Sequence, residues 1–279
     1  MSLTDSFLRV SRQRLCPLCH RPDWCMVSKD DPENPPLCIC SRIESRIRYG
    51  DAGWLHVLDA KRNHRPHQQR EVRIDCRKVE DHGSEARRYF EAGLQRLPVL
   101  ADELGVSVEA LRRLLVGWNE QERCWTFPLF NAGGICIGIN RRSPDGSKRV
   151  VAGHRIGLYM PHDLPLDMTG QTLLIVEGGS DTAAGLDFGY STIGRFSCSS
   201  GGEEVQRLVR QRQPRKVVVI ADADEPGRRG AAALARMLRR FCVYVNVIEP
   251  PAKDLRQWRQ AGAGPDDLRL LIEEVTLAK

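Results

Sequence analysis

Two stretches decide the fold: Leu173-Leu174-Ile175-Val176-Glu177-Gly178-Gly179-Ser180-Asp181, and Val217-Val218-Val219-Ile220-Ala221-Asp222-Ala223-Asp224-Glu225-Pro226-Gly227. In each, a short, wholly apolar, β-rich run ends in acid and glycine. Runs so short and so apolar read as strands buried on both faces, the habit of parallel sheets covered by helices. Helical patterns follow at residues 203–212 and 230–241, and a third apolar run at 243–248 closes the series. The alternation predicts an α/β fold with a mostly parallel sheet flanked by helices. Ligands of such sheets gather at the carboxyl ends of the strands, where both acidic motifs lie. Gly178 and Gly179 let the chain turn sharply after Glu177. Asp222 and Asp224 are two apart, so on an extended exit they face one side. The three carboxylates Glu177, Asp222 and Asp224 repel one another unless a cation joins them, and hard oxygen donors select Mg²⁺ or Mn²⁺ over zinc. Acids at strand-to-helix junctions also serve as caps and turns, which accounts for one such motif more easily than for two.

Upstream, helices are predicted at residues 86–97 and 108–116, and strands at 124–130 and 135–140 about an Asn131-Ala132-Gly133-Gly134 turn. Residues 100–107, with Leu111 beyond, fit a helix-turn-helix template in which Gly105 makes the turn and Ser107 caps the second helix. That second helix is too apolar to read base edges and runs straight into the strands, so packing is its expected role. A polar, basic stretch at 59–84 holds Lys61, Arg62, Arg65, Arg70, Arg73 and Arg77 and reads as a linker. A second basic group, Arg141, Arg142, Lys148, Arg149 and Arg155, lies just ahead of the acidic motifs.

The N-terminal part has another chemistry. The chain of 279 residues has 10 cysteines, five of them between Cys16 and Cys40. The N-terminus lacks the apolar core of an export signal, which argues against a disulfide framework. Cys16-Pro-Leu-Cys19 is a knuckle that points two thiolates at one metal, and Cys25, Cys38 and Cys40 offer the remaining ligands. Four suffice, so one is a bystander; His20 is expected to face solvent. Cys76, Cys124, Cys136, Cys198 and Cys242 are expected as buried small hydrophobes. The net charge of +6 suits a nucleic-acid partner without establishing one. No apolar run approaches the ~18 residues that span a bilayer. A cytoplasmic protein with no membrane partner is expected.

The Glu-Gly…Asp run at 177–181, followed by Asp222-Ala223-Asp224 and Gly227 in a βαβ frame, resembles the Toprim domain. That domain is shared by bacterial and phage primases, type IA and type II topoisomerases, OLD-family nucleases and the RecR recombination mediator. The resemblance implies that Glu177, Asp222 and Asp224 are catalytic and hold metal, with Asp181 in support and Asp254 as a further acid after the next strand. Residues 126–134, 138–142 and 157–159 resemble the N-terminal half of a primase polymerase domain. The pattern CPLCHRPDWC…CICSRIES…GWLH resembles the zinc-ribbon front end of phage- and plasmid-borne primases, which implies Cys16, Cys19, Cys25 and Cys40 as zinc ligands, with Cys38 as alternate. The implied organisation is a zinc ribbon (1–58), basic linker (59–84), α+β subdomain (85–168) and Rossmann-like Toprim domain (169–279). The implied function is a DNA primase making short RNA primers on single-stranded DNA by two-metal nucleotidyl transfer from nucleoside triphosphates. Arg141, Arg142, Lys148 and Arg155 would hold nucleotide and template, Trp24 or Trp54 would offer a stacking platform, and a replicative helicase would come as a separate chain. The rivals are a Toprim nuclease, a non-catalytic DNA-binding protein of the RecR kind, and a prophage relic that binds DNA without polymerising.

Overall fold

A computed structural model describes residues 6–58, apart from 46, 50 and 51, and residues 80–277, apart from 145. It divides into two compact units, Met1–Arg77 and Lys78–Lys279. Most of the expected linker, residues 59–79, lies outside the described residues; its last residues already open a helix at Gly83.

The first unit is a five-stranded antiparallel sheet of β1 (Phe7–Arg9), β2 (Met26–Ser28), β3 (Leu37–Cys40), β4 (Ile47–Arg48) and β5 (Trp54–Val57), in the order β1-β2-β3-β5-β4. Its buried cluster holds Val10 and Val27 and otherwise consists of Cys16, Cys25, Cys38 and Cys40. So few apolar side chains do not offset the conformational entropy of ordering this segment, and a metal held by the cysteines would supply what is missing. An aromatic side chain such as Trp24 could have filled part of this small core. It is 46% exposed and sits at a turn with φ +60, so it is not core.

The second unit begins with α1 (Gly83–Gly93), α2 (Leu97–Leu104) and α3 (Val108–Arg113). The single helix expected at 86–97 is thus corrected: it stops at Gly93, where an added Cβ would meet the Gly117 backbone, and Leu97 with Pro98 starts a new one. Gly105 adopts φ +67 after α2, and the Ser107 hydroxyl accepts the Ala110 N–H before α3. The turn is pinned from outside: Ser107 donates its N–H and hydroxyl to Asp187 at 2.7 and 2.5 Å. Ala110 and Leu111 are buried. The helix-turn-helix lookalike is packing.

A nine-stranded mixed sheet follows, comprising β6 (Gly117–Asn119), β7 (Cys124–Phe130), β8 (Cys136–Arg142), β9 (Lys148–Val150), β10 (Leu158–Tyr159), β11 (Thr172–Glu177), β12 (Ser191–Arg195), β13 (Lys216–Ile220) and β14 (Tyr244–Ile248). The main path runs β14-β13-β11-β12-β10-β7-β8-β9, with β6 beside β7. From β14 to β12 the strands are parallel, and from β10 to β9 antiparallel. The parallel strands are joined by α4 (Gly179–Asp187), α5 (Gly202–Arg212) and α6 (Glu225–Leu238); α7 (Leu255–Gln260) and α8 (Pro265–Leu277) end the chain. The helix expected at 230–241 starts five residues earlier, capped by Asp224.

Alternation along each strand explains the two-sided burial. Leu174, Val176, Val218 and Ile220 pack with α2, α3 and α4, whereas Leu173, Ile175, Val217 and Val219 pack with α1, α5 and α6. β11 therefore leads to a helix on one face and its neighbour β13 to a helix on the other. Their carboxyl ends diverge, leaving a crevice between them.

Candidate active site

Glu177 is the last residue of β11, in register with Arg195 at the end of β12. Gly178 follows at φ +87, a conformation that favours glycine; its N–H donates to Arg195 O at 2.8 Å. Gly179 has no room for a side chain either, since a Cβ would lie 2.7 Å from the Phe127 ring. The two glycines thus press α4 against the sheet and bring Asp181 inward, where it is buried.

On the neighbouring strand, Asp222 follows β13 after Ala221, whose N–H donates to Ile248 O at 2.8 Å; Ala223 N–H donates to Lys253 O at 2.8 Å. These bonds lace the β13 exit to the β14 exit and bring Asp254 alongside. Asp224 and Asp254 each spend one oxygen as a helix cap, accepting from Gly227 N and Gln257 N at 2.7 Å. Asp181 accepts the Arg256 N–H at 3.0 Å, tying α4 to the start of α7. The cap role weighed against the metal role from sequence is real for these two aspartates, and each keeps its second oxygen. Among the described residues, the ligand oxygens of these acids do not close within 4.8 Å of one another as a set.

The electrostatics show what this arrangement costs. Burial, then the charge of Asp254, pushes Asp181 up to about 7 against the pull of the Arg256 N–H. Burial, then Glu177, Asp254 and Asp224, pushes Asp222 up to about 7. Five carboxylates feel one another across a low-dielectric crevice, and the donors are all hard oxygens, a set that fits Mg²⁺ or Mn²⁺.

Two cations of the chain share this region. Lys148, on edge strand β9, opposes the upward shift at both Asp181 and Asp222, and a Cβ on Gly178 would lie 3.1 Å from its Nζ. With Arg142, Phe127, Asn140, Gly179 and Ser180 it lines a small crevice beside the acids. Arg142 is also 3.3 Å from Glu103. The other two expected basic residues are not brought here: Arg141 points across the strand to Glu122 at 2.6 Å, and Arg155 is exposed, with its N–H on Ile137 O at the far end of β8.

Two site residues were not foreseen. Arg195 is 4% exposed, donates from Nη1 to Cys198 O at 2.6 Å, keeps a buried Nε with no partner, and carries a charge that burial disfavours and Glu177, Cys198 and Asp222 partly restore. Asn140 lines the crevice, donates Nδ2 to the Tyr159 hydroxyl at 2.9 Å and leaves its Oδ1 buried and unpaired. A lone polar residue inside the apolar run of β8 was the available signal for Asn140; Arg195 ends a strand, Ser-Thr-Ile-Gly-Arg, with one large apolar residue and so no apolar run to mark it.

In the first unit, Cys16, Cys19, Cys25 and Cys40 bring their sulfurs within 4.8 Å of one another. Cys25 Sγ is 3.7 Å from Cys19 Sγ and 3.9 Å from Cys40 Sγ. Backbone N–H groups of Arg42 and Ile43 point at Cys40 Sγ from 3.4 and 3.2 Å, the kind of donor that steadies a thiolate ligand. Cys38, on the same face of β3, sits outside this set, with its Sγ 3.8 Å from Cys16 Sγ. The four-thiol cluster fits a structural zinc ion. His20 is exposed. Of the other cysteines, Cys124, Cys136 and Cys242 are buried as expected, Cys198 only partly, and Cys76 lies outside the described residues.

No family model matches the sequence, and no curated protein matches it. Solved structures do match. The chain is similar to the DnaG catalytic core, with a TM-score of 0.55 and 16% identity over 68% of this chain and 77% of that one. It is similar to the Aquifex aeolicus primase (zinc-binding and RNA polymerase domains), with a TM-score of 0.54 and 15% identity over 68% of this chain and 58% of that one. The RNA polymerase domain of Mycobacterium tuberculosis primase DnaG matches with a TM-score of 0.54 and 17% identity, over 68% of this chain and 80% of that one. The chain thus shares the fold of these DnaG-type primase structures, and its four-cysteine cluster fits a zinc site.

Proposed function

We propose that the chain is a DNA primase that makes short RNA primers on single-stranded DNA. One observation carries this reading: in a primase-type fold, Glu177 and Asp222 leave adjacent parallel strands at the point where the connections diverge, with Asp224, Asp254 and Asp181 around them. In this reading Glu177, Asp222 and Asp224 hold two divalent ions, Mg²⁺ or Mn²⁺, with Asp254 and Asp181 in support. Bound ions supply charge neutralisation at the phosphates. Lys148 and Arg142 grip the triphosphate from the β8–β9 side. The 3′-hydroxyl oxygen of one nucleotide forms a bond to the α-phosphorus of the next, and pyrophosphate leaves. Arg195, in register with Glu177 at the next strand end, offsets part of its charge. The zinc ribbon of residues 1–58, closed by Cys16, Cys19, Cys25 and Cys40, takes single-stranded template, with exposed Trp24 as a stacking face. Residues 59–84 join it to an α+β part (85–168) and the Toprim part (169–279), and a helicase acts as a separate cytoplasmic partner. No described helix is long and apolar enough to cross a membrane.

Incubating the full chain with single-stranded templates of varied sequence, labelled nucleoside triphosphates and Mg²⁺ tests this. Short RNA products that vanish with Glu177→Gln support it. Template cleavage indicates a nuclease instead, and retention of template without synthesis indicates a binding protein.

A further inference from the structure

Away from the acidic crevice, His82, Glu85 and His154 place their ligand atoms within 4.8 Å of one another. His82 is the residue before α1, and Glu85 lies three positions on, on the same side of its first turn. His154 comes from the turn between β9 and β10, far along the chain. Each is fixed by its surroundings. The His82 N–H donates to Cys136 O at 2.8 Å, so Glu85 is not occupied as its capping partner. Glu85 Oε1 accepts the Tyr89 hydroxyl at 2.9 Å, and that hydroxyl accepts Nδ2 of the buried Asn119 at 3.3 Å. The chain of bonds aims Oε2 at His154 Nε2, 3.7 Å away.

The His154 side chain is only 9% exposed, yet it makes no hydrogen bond. Nδ1 is buried without a partner, and the approach of Nε2 to Glu85 is too long to count. The two imidazoles stack instead, with centroids 3.6 Å apart and planes 23° from parallel. A largely buried ring with an unpartnered Nδ1, its other nitrogen facing a carboxylate oriented from behind, is suited to a ligand that supplies positive charge and accepts lone pairs.

We propose that His82, Glu85 and His154 form a transition-metal site for Zn²⁺ or a similar borderline ion, which clips the start of α1 to the β9–β10 turn. Two imidazole nitrogens and a carboxylate oxygen select such ions over Mg²⁺, and leave a fourth position for water. Metal binding requires the half-buried His82 ring to turn out of its stack on His154. The clip secures the exposed edge strand β9, which carries Lys148 and ends at Val150, four residues before His154.

The test uses the full chain, loaded with one equivalent of zinc for the cysteines, held in excess Mg²⁺ to occupy the acidic crevice, and then titrated with Co²⁺. One further Co²⁺ per chain is expected, with the weak visible bands of nitrogen and oxygen ligation and without thiolate charge transfer. It should be lost in both His82→Gln and His154→Gln and bind at least about tenfold more weakly in Glu85→Gln. Any Co²⁺ at the cysteines shows thiolate bands in all variants, so the two sites are read separately. Amide exchange across residues 148–154 should slow with added Zn²⁺ in the wild type and not in His82→Gln, whose folding is checked by circular dichroism. Absence of the non-thiolate Co²⁺ spectrum in the wild type, or its persistence in both histidine variants, overturns the proposal.

Discussion

Asp181→Asn should stabilise the Mg²⁺-free protein at pH 8 and leave it nearly unchanged at pH 4.5. Asp181 is fully buried, and its folded-state pKa is about 7 against an ordinary 3.8. The folded chain therefore keeps a proton that the unfolded chain gives up between those values. The favourable contribution is complete below about pH 4, falls as pH rises, and is gone above about pH 7. A shift of this size corresponds to about 4 kcal/mol at most. Asp181 titrates together with Asp222 and Asp254, and local relaxation returns part of the cost, so about 2 kcal/mol is the working expectation. Asparagine has nearly the same shape, and its amide oxygen still accepts the Arg256 N–H. For a unit of this size the gain corresponds to a rise in melting temperature of roughly 4–8 °C at pH 8. Thermal melts of both proteins at the two pH values, in zinc-replete, Mg²⁺-free buffer, decide the matter. Equal melting at pH 8, or an equal gain at pH 4.5, would refute the idea that a buried, repelled carboxylate carries this cost.

Other outcomes follow from single contacts. Cys40→Ser should lower the zinc released per chain by one equivalent in a colorimetric assay, whereas Cys38→Ser should not, because Cys38 lies outside the set of four close sulfurs. Gly178→Ala should cost about 1–2 kcal/mol in urea unfolding, since alanine strains φ +87 and its Cβ presses on the Lys148 Nζ. Ser107→Ala should cost about 1–2 kcal/mol by removing a helix cap and a hydrogen bond to Asp187, and should leave DNA affinity in a polarisation assay unchanged.

The decisive strands were readable because burial on both faces leaves nothing but branched apolar residues between the turn and the acid. Strands β11 and β13 extend only a residue or so beyond those runs, and β7 spans the predicted residues. The antiparallel half read less well. Strands β9 and β10 have three and two residues, too few for any period to show. β12, Ser-Thr-Ile-Gly-Arg, is held by its neighbours: Thr192 packs into the space left by Gly185, and Gly194 lets Thr182 come close. Its sequence looks like loop, so Arg195 was missed with it. Helix α4 escaped notice because it packs through glycine and alanine instead of an apolar stripe. The cysteine knuckle was legible from spacing, but His82 and His154 meet only through the sheet and gave no local signal.

Every catalytic reading of this chain, polymerase or nuclease, passes through a divalent cation at the ends of β11 and β13. Electron paramagnetic resonance with Mn²⁺ counts that cation directly. Wild-type protein, zinc-replete, should bind Mn²⁺, and Glu177→Gln or Asp222→Asn should lose it while circular dichroism stays unchanged. Mn²⁺ binding that is absent from the wild type, or undiminished in both variants, would contradict the account.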